Sequence, residues 1–334
     1  MVPLSAQSGA RSIGSRNNRD PLRCARYLLG SRRDFLRAVI GGAAGLSLST
    51  TAFGQTATTP VTASKLTDQL VMLSGDGGNV VVVVSADGLM LIDGGLPERS
   101  ADLLKAVSQI DSHPVRTLFN THWHFDHTGC NEVLGKMGTK IIAHENTKKW
   151  LSQKVHVEAV NRTFEPLAPE GRPAETFSTS GKMTFGAEKI DYTHVSPAHT
   201  DSDAYVFFPA SNVLHTGDLF FNGSYPVIDY STGGWVGGMA AACDTLLRVG
   251  DARTRIVPGH GPLATKEDLR ATRNMLWSVT RRMQELHKQE KSVDEAVRMV
   301  PTKGFDEKYG GGLLMPEAWT RIAYTSVLRH EKKA

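Results

Sequence analysis

The chain has 334 residues, about two fifths of them apolar, which is enough for one large domain or two small ones. Its formal net charge is +4, but eight arginines and two aspartates give residues 1–54 a charge of +6, so the rest of the chain carries −2. A nearly neutral body lacks the basic surface that nucleic acid requires, and we therefore expect no nucleic acid partner.

Residues 1–54 have the order of a secretion signal, in which a charged stretch precedes a short apolar run and small residues. Within SRRDFLR, residues 31–37, the paired arginines followed by Phe and Leu resemble the twin-arginine export signal of bacteria. The Gly- and Ala-rich run behind it is too short and too weakly apolar for a stable membrane span. We predict cleavage after Gly54, export by the twin-arginine machinery and a periplasmic location, with no stable membrane insertion after cleavage.

Two cysteines, Cys130 and Cys243, remain after such a cleavage. They could pair in an oxidising compartment, but two cysteines do not make a disulfide framework. The sequence contains no CxxC motif, so a cysteine-based zinc knuckle is excluded.

The first elements after a Thr- and Ala-rich linker at residues 55–65 are predicted to be strands. QLVMLSG and NVVVVVSADGLMLIDGG are typical of buried strands, with a hairpin turn at residues 86–88. PERSADLLKAVSQI has helical spacing and opens with proline, a favoured residue of the first turn. VRTLFNTH then predicts a strand that runs directly into a group of histidines.

The rest of the chain alternates between strand-like and helical patterns. KIIAHE predicts a strand, NTKKWLSQ a helix, and the polar residues 154–180, which include three prolines, a long loop. Further strands are predicted at residues 181–195, 203–209, 212–217 and in TRIVPGHG, with helices near 237–249 and from 265 to 300. This mixture indicates a layered α/β domain, with a helical extension at 263–334 packed on it.

The stretch THWHFDHTGCN places four metal-ligating side chains within six positions, namely His122, His124, Asp126 and His127. Imidazole nitrogens and carboxylate oxygens are the usual donors to catalytic zinc. On an extended segment His122 and His124 point to the same side and can bind one ion. A turn would then direct Asp126 and His127 towards a second ion.

A cluster this short cannot complete two coordination spheres, so further donors must come from elsewhere. Three candidates lie at strand ends: His199 in SPAHTDSD, Asp218 at the end of NVLHTGD, and His260 in VPGHG. Their order behind the first cluster predicts one site assembled from several loops.

The order HxHxDH, lone histidine, Gly-Asp strand end and Gly-His-Gly turn resembles the metallo-β-lactamase superfamily, over about residues 66–262. The resemblance implies a four-layer αββα sandwich with the site at one edge of its two sheets. It implies two Zn²⁺ ions per chain, the first held by His122, His124 and His199, the second by Asp126, His127 and His260, with Asp218 bridging both. LIDGG resembles an early motif of the family and makes Asp93 a support of the metal loops.

Two zinc ions at such a site share a hydroxide that attacks a carbonyl, and Asp126 is predicted to act as a catalytic residue that orients the hydroxide or moves a proton. An aspartate at position 218 resembles the hydroxyacylglutathione hydrolase and lactonase branches. Residues 219–235 contain no Lys or Arg that could bind a substrate carboxylate. Their aromatic residues predict a pocket for a partly apolar small molecule, unless they belong to the core.

Three functions remain open at this point. The first is hydrolysis of an ester, thioester or lactone by a dizinc enzyme. The second is β-lactamase activity. A periplasmic location favours this hypothesis, whereas the lack of a Lys or Arg at residues 219–235 to bind the substrate carboxylate disfavours it. The third is a mononuclear iron dioxygenase acting on sulfur compounds, which metal identity and oxygen dependence would distinguish. The sequence leaves the oligomeric state undecided.

Overall fold

The computed structural model describes residues 59–195 and 197–332, so the predicted export signal lies outside the described residues. The strands are β1 Thr62–Lys65, β2 Leu70–Ser74, β3 Val80–Ser85, β4 Gly88–Ile92, β5 Val115–Asn120, β6 Lys140–His144, β7 Val155–Val157, β8 Arg162–Phe164, β9 Glu175–Phe177, β10 Ser180–Phe185, β11 Glu188–His194, β12 Ala204–Phe208, β13 Val213–His215 and β14 Arg255–Val257. The helices are α1 Ser100–Ile110, α2 Asn131–Lys136, α3 Glu145–Leu151, α4 Val236–Leu247, α5 Lys266–Lys288, α6 Val293–Arg298, α7 Asp306–Tyr309 and α8 Pro316–Glu331.

Two mixed sheets contain most of these strands. The first sheet has the order β1-β2-β3-β4-β5-β6-β9, antiparallel up to β4 and parallel from β4 onwards. The second sheet has the order β10-β11-β12-β13-β14, antiparallel except for the parallel pair of β13 and β14. Strands β7 and β8 form a separate small hairpin.

The valine run of β3 shows why the first sheet is covered on both faces. Successive side chains of a strand point to opposite faces. Val81 and Val83 accordingly face the core between the two sheets, while Val80 and Val82 pack beneath α1 and α2. Each such buried side chain contributes about 1.5–3 kcal/mol of transfer free energy.

The second sheet is covered by the C-terminal helices. Leu214 of β13 and Ile256 of β14 point away from the first sheet and pack against apolar residues of α4, α5 and α8. The layers are therefore helix, sheet, sheet and helix, which confirms the predicted α/β sandwich with C-terminal helices. Within the described residues, no helix combines the length and the apolar character needed to cross a membrane.

Three local expectations differ from the structure. Strand β1 lies inside the segment predicted as a linker, because its four exposed side chains offer no apolar alternation to read. The predicted loop at residues 154–180 contains the hairpin β7–β8 and the short strand β9. The single helix predicted at 265–300 is two helices, since Glu290 has a φ of 53° and Ser292 caps the start of α6.

Both described cysteines are free and buried in different parts of the core, Cys130 under the first sheet and Cys243 beside the second. Burial raises the pKa of Cys130 to about 11 and that of Cys243 to about 12. With these pKa values, at most about one thiol in a thousand is ionised at pH 8. The thiolate is the form that reacts, so both cysteines should be unreactive in the folded protein. We expect slow labelling of the native protein by a disulfide reagent at pH 8 and rapid labelling of both thiols in guanidinium. Rapid stoichiometric labelling of the native protein would contradict this burial.

Candidate metal centre

The seven predicted donors are brought together by loops at one edge of the two sheets. The loop after β5 carries His122, His124, Asp126 and His127, the loop before β12 carries His199, and the segments after β13 and β14 carry Asp218 and His260. Since β13 and β14 are parallel, the segments that follow them leave the second sheet on the same side. The strand order therefore places Asp218 beside His260.

The donors form two groups, each with its ligand atoms within 4.8 Å of one another. His122, His124, His199 and Asp218 make up the first group, and all four are buried. Asp126, His127 and His260 make up the second, which is more open because 24% of the His260 side chain and 18% of the Asp126 side chain are exposed. Small molecules therefore have access from the side of the second group.

Asp218 lies between the two groups. Its Oδ2 is 3.3 Å from His199 Nε2 and 3.8 Å from His122 Nε2. Its Oδ1 is 3.0 Å from His127 Nε2 and 3.4 Å from His260 Nε2. One carboxylate thus directs one oxygen to each group, as a bridging ligand requires.

Hydrogen bonds fix which nitrogen of each buried histidine is left for a ligand. His199 Nδ1 donates to the Val227 carbonyl at 2.7 Å, and His124 Nε2 donates to Asp229 Oδ2 at 3.1 Å. The lone pairs of His199 Nε2 and His124 Nδ1 then face each other at 2.8 Å. In the same group, His122 Nε2 is buried without a hydrogen-bond partner among the described residues.

Two lone pairs this close repel each other unless a proton or a metal cation lies between them. Burial lowers the pKa of His199 to about 4 and holds that of His122 well below its usual value, so both rings are neutral at pH 7. Neutral imidazole nitrogens that converge without other partners are the donors that Zn²⁺ prefers. The first group therefore fits a metal ion.

The second group is held in a strongly negative environment. Burial opposes ionisation of Asp126, but His127 and His260 outweigh it and lower the pKa of Asp126 to about 2. Burial likewise opposes protonation of His260, yet Asp218 and Asp126 raise its pKa to about 9. Without a metal, protons on the histidines balance these carboxylates. A divalent cation would take the place of those protons.

Asp93 connects the first sheet to the metal loop and is fully buried. Its carboxylate accepts from the backbone N–H and the hydroxyl of Thr121 and from His127 Nδ1, each at 2.8 Å. His215 Nε2 lies 3.4 Å from the same carboxylate. These contacts leave His127 Nε2 directed towards Asp218, so Asp93 positions a metal donor, as the LIDGG motif suggested.

Two glycines allow the loops to approach this closely. A Cβ on Gly259, the residue before His260, would lie 2.0 Å from Asp218 Oδ1. A Cβ on Gly78 would lie 2.4 Å from the ring of His127. Any side chain at either position would displace a donor.

Two aspartates that support the first group were not identified from the sequence. Asp203 accepts from the backbone N–H groups of His199 and Thr200 and from the Thr200 hydroxyl, which closes the turn that carries His199. The spacing HTDSD, typical of an Asp-closed turn, is the signal that could have revealed it. Asp229 is held by the Thr232 hydroxyl at 2.6 Å and closes a turn by accepting from the Ser231 N–H at 2.9 Å, so the sequence DYST carries a similar turn signal.

The aromatic residues after Asp218 are mostly packed in the core instead of lining a pocket. Tyr225 is buried and stacks on Trp319 with ring centroids 4.2 Å apart. Phe221 is also buried, but it contacts the site, because its ring stacks on that of His260 with the ring centroids 4.8 Å apart. It therefore forms an apolar wall on one side of the second group.

A family model described as the metallo-beta-lactamase superfamily matches residues 73–285, which is more than half of the chain. The chain belongs to the metallo-β-lactamase superfamily. The match spans all seven donors and confirms the family that the order of the motifs predicted. The protein accordingly combines the fold of this superfamily with a site of histidine and aspartate side chains that could hold metal.

Individual relatives of this superfamily member are distant. A metallo-beta-lactamase type 2 from Bacillus sp. (strain 170) is 21% identical over 199 residues, which is 59% of this chain and 72% of the relative. The 2,4-dinitroanisole O-demethylase subunit alpha of Nocardioides sp. (strain JS1661) is 23% identical over 134 residues, or 39% of this chain. That alignment spans only 37% of the demethylase subunit.

Solved structures of the superfamily share the fold. A metallo-beta-lactamase from Pontibacter korlensis matches with a TM-score of 0.54 and 20% identity, over 65% of this chain and 99% of the other. A stereoselective inverting sec-alkylsulfatase from Pseudomonas sp. matches with a TM-score of 0.60 and 16% identity, over 79% of this chain and 50% of the other. At these identities the likeness establishes the fold and leaves the substrate open.

Proposed function

We propose that this protein is an exported dizinc hydrolase that cleaves an ester, a thioester or a lactone in a small molecule. The position of Asp218, with one oxygen directed to each group of donors, is the observation that carries the proposal. The export signal predicted at residues 1–54 supports a periplasmic location reached by the twin-arginine route.

Two zinc ions held by the two groups would supply a water of lowered pKa and polarise the carbonyl under attack. The residues of the chain have complementary roles. Asp126 is ionised and partly exposed, so its carboxylate can accept a hydrogen bond from the water and orient it. Phe221 is buried against His260 and shields that ring from solvent on one side.

A β-lactamase is the second candidate, because proteins named metallo-beta-lactamase are among the relatives in both sequence and structure. The carboxylate of a β-lactam would need a cation near the site. The segment from Leu219 to Trp235, which passes the site, contains no Lys or Arg. Hydrolysis of a neutral ester or lactone therefore suits this segment better.

Metal analysis combined with a substrate panel tests the proposal. The mature protein would be purified without added metal and analysed for zinc and iron, then assayed with thioesters, lactones, simple esters and a chromogenic β-lactam. About two zinc ions per chain with turnover of the first three classes would support the proposal. Turnover of the β-lactam alone would favour the second candidate. One iron per chain with oxygen consumption would overturn the hydrolase.

The substitution Asp126→Asn should lower kcat by about 100- to 1000-fold, because an amide lacks the negative charge with which the carboxylate orients the water and helps to hold the second metal ion. KM should change less than kcat, since the carboxylate acts on the water and the metal and not on the remote parts of the substrate. Steady-state kinetics with the best substrate of the panel would measure both constants. Asp87→Asn, in the exposed hairpin turn, is the matched control. Equal kcat values for the two variants would remove Asp126 from the reaction.

A further inference from the structure

The segment between Asp218 and α4, residues 219–235, holds two histidines of the first metal group in place. Its Val227 carbonyl accepts from His199 Nδ1 at 2.7 Å. Its Asp229 carboxylate accepts from His124 Nε2 at 3.1 Å, and the backbone N–H of Asp229 donates to the His199 carbonyl at 2.9 Å. We call this segment the support loop. Its position sets the direction of two of the donor nitrogens.

The N-terminal part of the support loop is in turn attached to helix α8. Trp319 Nε1 donates to the Pro226 carbonyl at 2.7 Å, next to the residue that holds His199. The Trp319 ring stacks on Tyr225, whose hydroxyl donates to Asp306 Oδ1 at 2.8 Å. The backbone N–H of Tyr225 donates to the Tyr309 carbonyl at 2.9 Å.

Helix α8 also contacts the other end of the support loop. The backbone N–H of Val236, where the loop enters α4, donates to Ser326 Oγ at 3.1 Å. Trp235 stacks on His330 with ring centroids 3.6 Å apart and an angle of 6° between the rings. Contacts on one helix therefore hold both ends of the loop, and the residues that orient His199 and His124 lie between them.

We propose that helix α8 is a positioning element of the metal centre and sets the metal affinity of the first group through the support loop. Outer contacts that orient metal-ligating histidines typically change metal affinity by about 10- to 100-fold when they are lost. Here the outer contacts of two histidines belong to one loop, so a small displacement of that loop would misdirect both donors at once. The second group has a different support, because Asp93 of the first sheet holds His127.

The inference rests on the metal site of the proposed function and not on its substrate. Co²⁺ alone is the probe, because its visible absorption reports the ligand geometry of each bound ion. His260→Ala weakens the second group and isolates the first, while His199→Ala does the reverse. Each background would be combined with the double substitution Trp319→Phe and Ser326→Ala, which removes the bonds to Pro226 and Val236 and retains an aromatic ring at 319.

Tyr324→Phe is the matched control, because Tyr324 lies on the same helix and its hydroxyl donates to the Lys291 carbonyl, away from the support loop. In the His260→Ala background we expect the double substitution to weaken Co²⁺ binding by about tenfold and to change its spectrum. Tyr324→Phe should leave affinity and spectrum unchanged in that background. In the His199→Ala background, neither change should alter affinity more than about twofold.

Three results would overturn the inference: unchanged affinity of the first group, equal weakening of both groups, or equal weakening by Tyr324→Phe. If the double variant fails to fold by circular dichroism, the two single substitutions are read by the same criteria. Two Co²⁺ ions bound as expected in a protein that hydrolyses no substrate of the panel would overturn the proposed function and leave the role of α8 standing.

Discussion

Asp218→Asn should abolish the paired metal centre, and we expect kcat/KM to fall by at least about 1000-fold, which corresponds to about 4 kcal/mol of activation free energy. The carboxylate directs one oxygen to His199 and the other to His127. An amide has one oxygen and no charge, so it cannot serve both groups. Metal content should fall from two ions to one or fewer, measured by elemental analysis after gel filtration.

Asp68→Asn is the control for this prediction, because Asp68 pairs with Lys65 at the surface and should affect neither metal content nor rate. A chelator-treated Asp218→Asn variant should show circular dichroism like that of the wild-type protein, since the sandwich core does not involve this residue. If Asp218→Asn retains two ions and full activity, Asp218 does not bridge the two groups.

The donors themselves could be predicted from the sequence because their chemistry is distinctive and their spacing is short. Histidine and aspartate at residues 122–127 have few other reasons to occur together. His199, Asp218 and His260 follow or precede apolar runs that are recognisable as strands. The continuous valine run of β3 must be covered on both faces, so the sequence patterns could predict a layered α/β domain, whereas the four-layer sandwich followed from the resemblance.

Apart from Asp93, the supports of the donors could not be predicted in the same way. Asp229 is 105 residues from the histidine it orients, and Trp319 is 93 residues from the carbonyl it contacts. No local pattern reports such pairs. The partner of His199 is the main-chain carbonyl of Val227, a group that every residue has. Helical spacing predicted the helical C-terminal segment, whereas its attachment to the support loop depends on the folded structure.

Asp93→Ala should destabilise the metal-free protein by about 3 kcal/mol, because it leaves the buried N–H and hydroxyl of Thr121 and the Nδ1–H of His127 without an acceptor. Urea unfolding of chelator-treated protein measures this difference. Asp93 also has a φ of 67°, which alanine tolerates poorly and asparagine accepts. Asp93→Asn therefore separates the loss of the charge and of one acceptor oxygen from the strain of the backbone.

The difference between wild type and Asp93→Asn should depend on pH in a defined direction. Burial opposes ionisation of Asp93, but His127 and His215 lower its pKa below 3.8. The contribution of the Asp93 charge to the free energy of unfolding is therefore present above pH 3.8 and is lost as the pH falls through the folded-state pKa. Burial likewise opposes protonation of His127, but Asp218, Asp93 and Asp126 raise its pKa well above 6.5. The contribution of the charged His127 to the free energy of unfolding is therefore present below pH 6.5 and is lost as the pH rises through the folded-state pKa. The difference in unfolding free energy should therefore be largest between about pH 4 and 6.5 and smaller on either side. A difference that does not vary with pH would mean that Asp93 supports the loop by hydrogen bonds alone and that its ion pair with His127 does not contribute to stability.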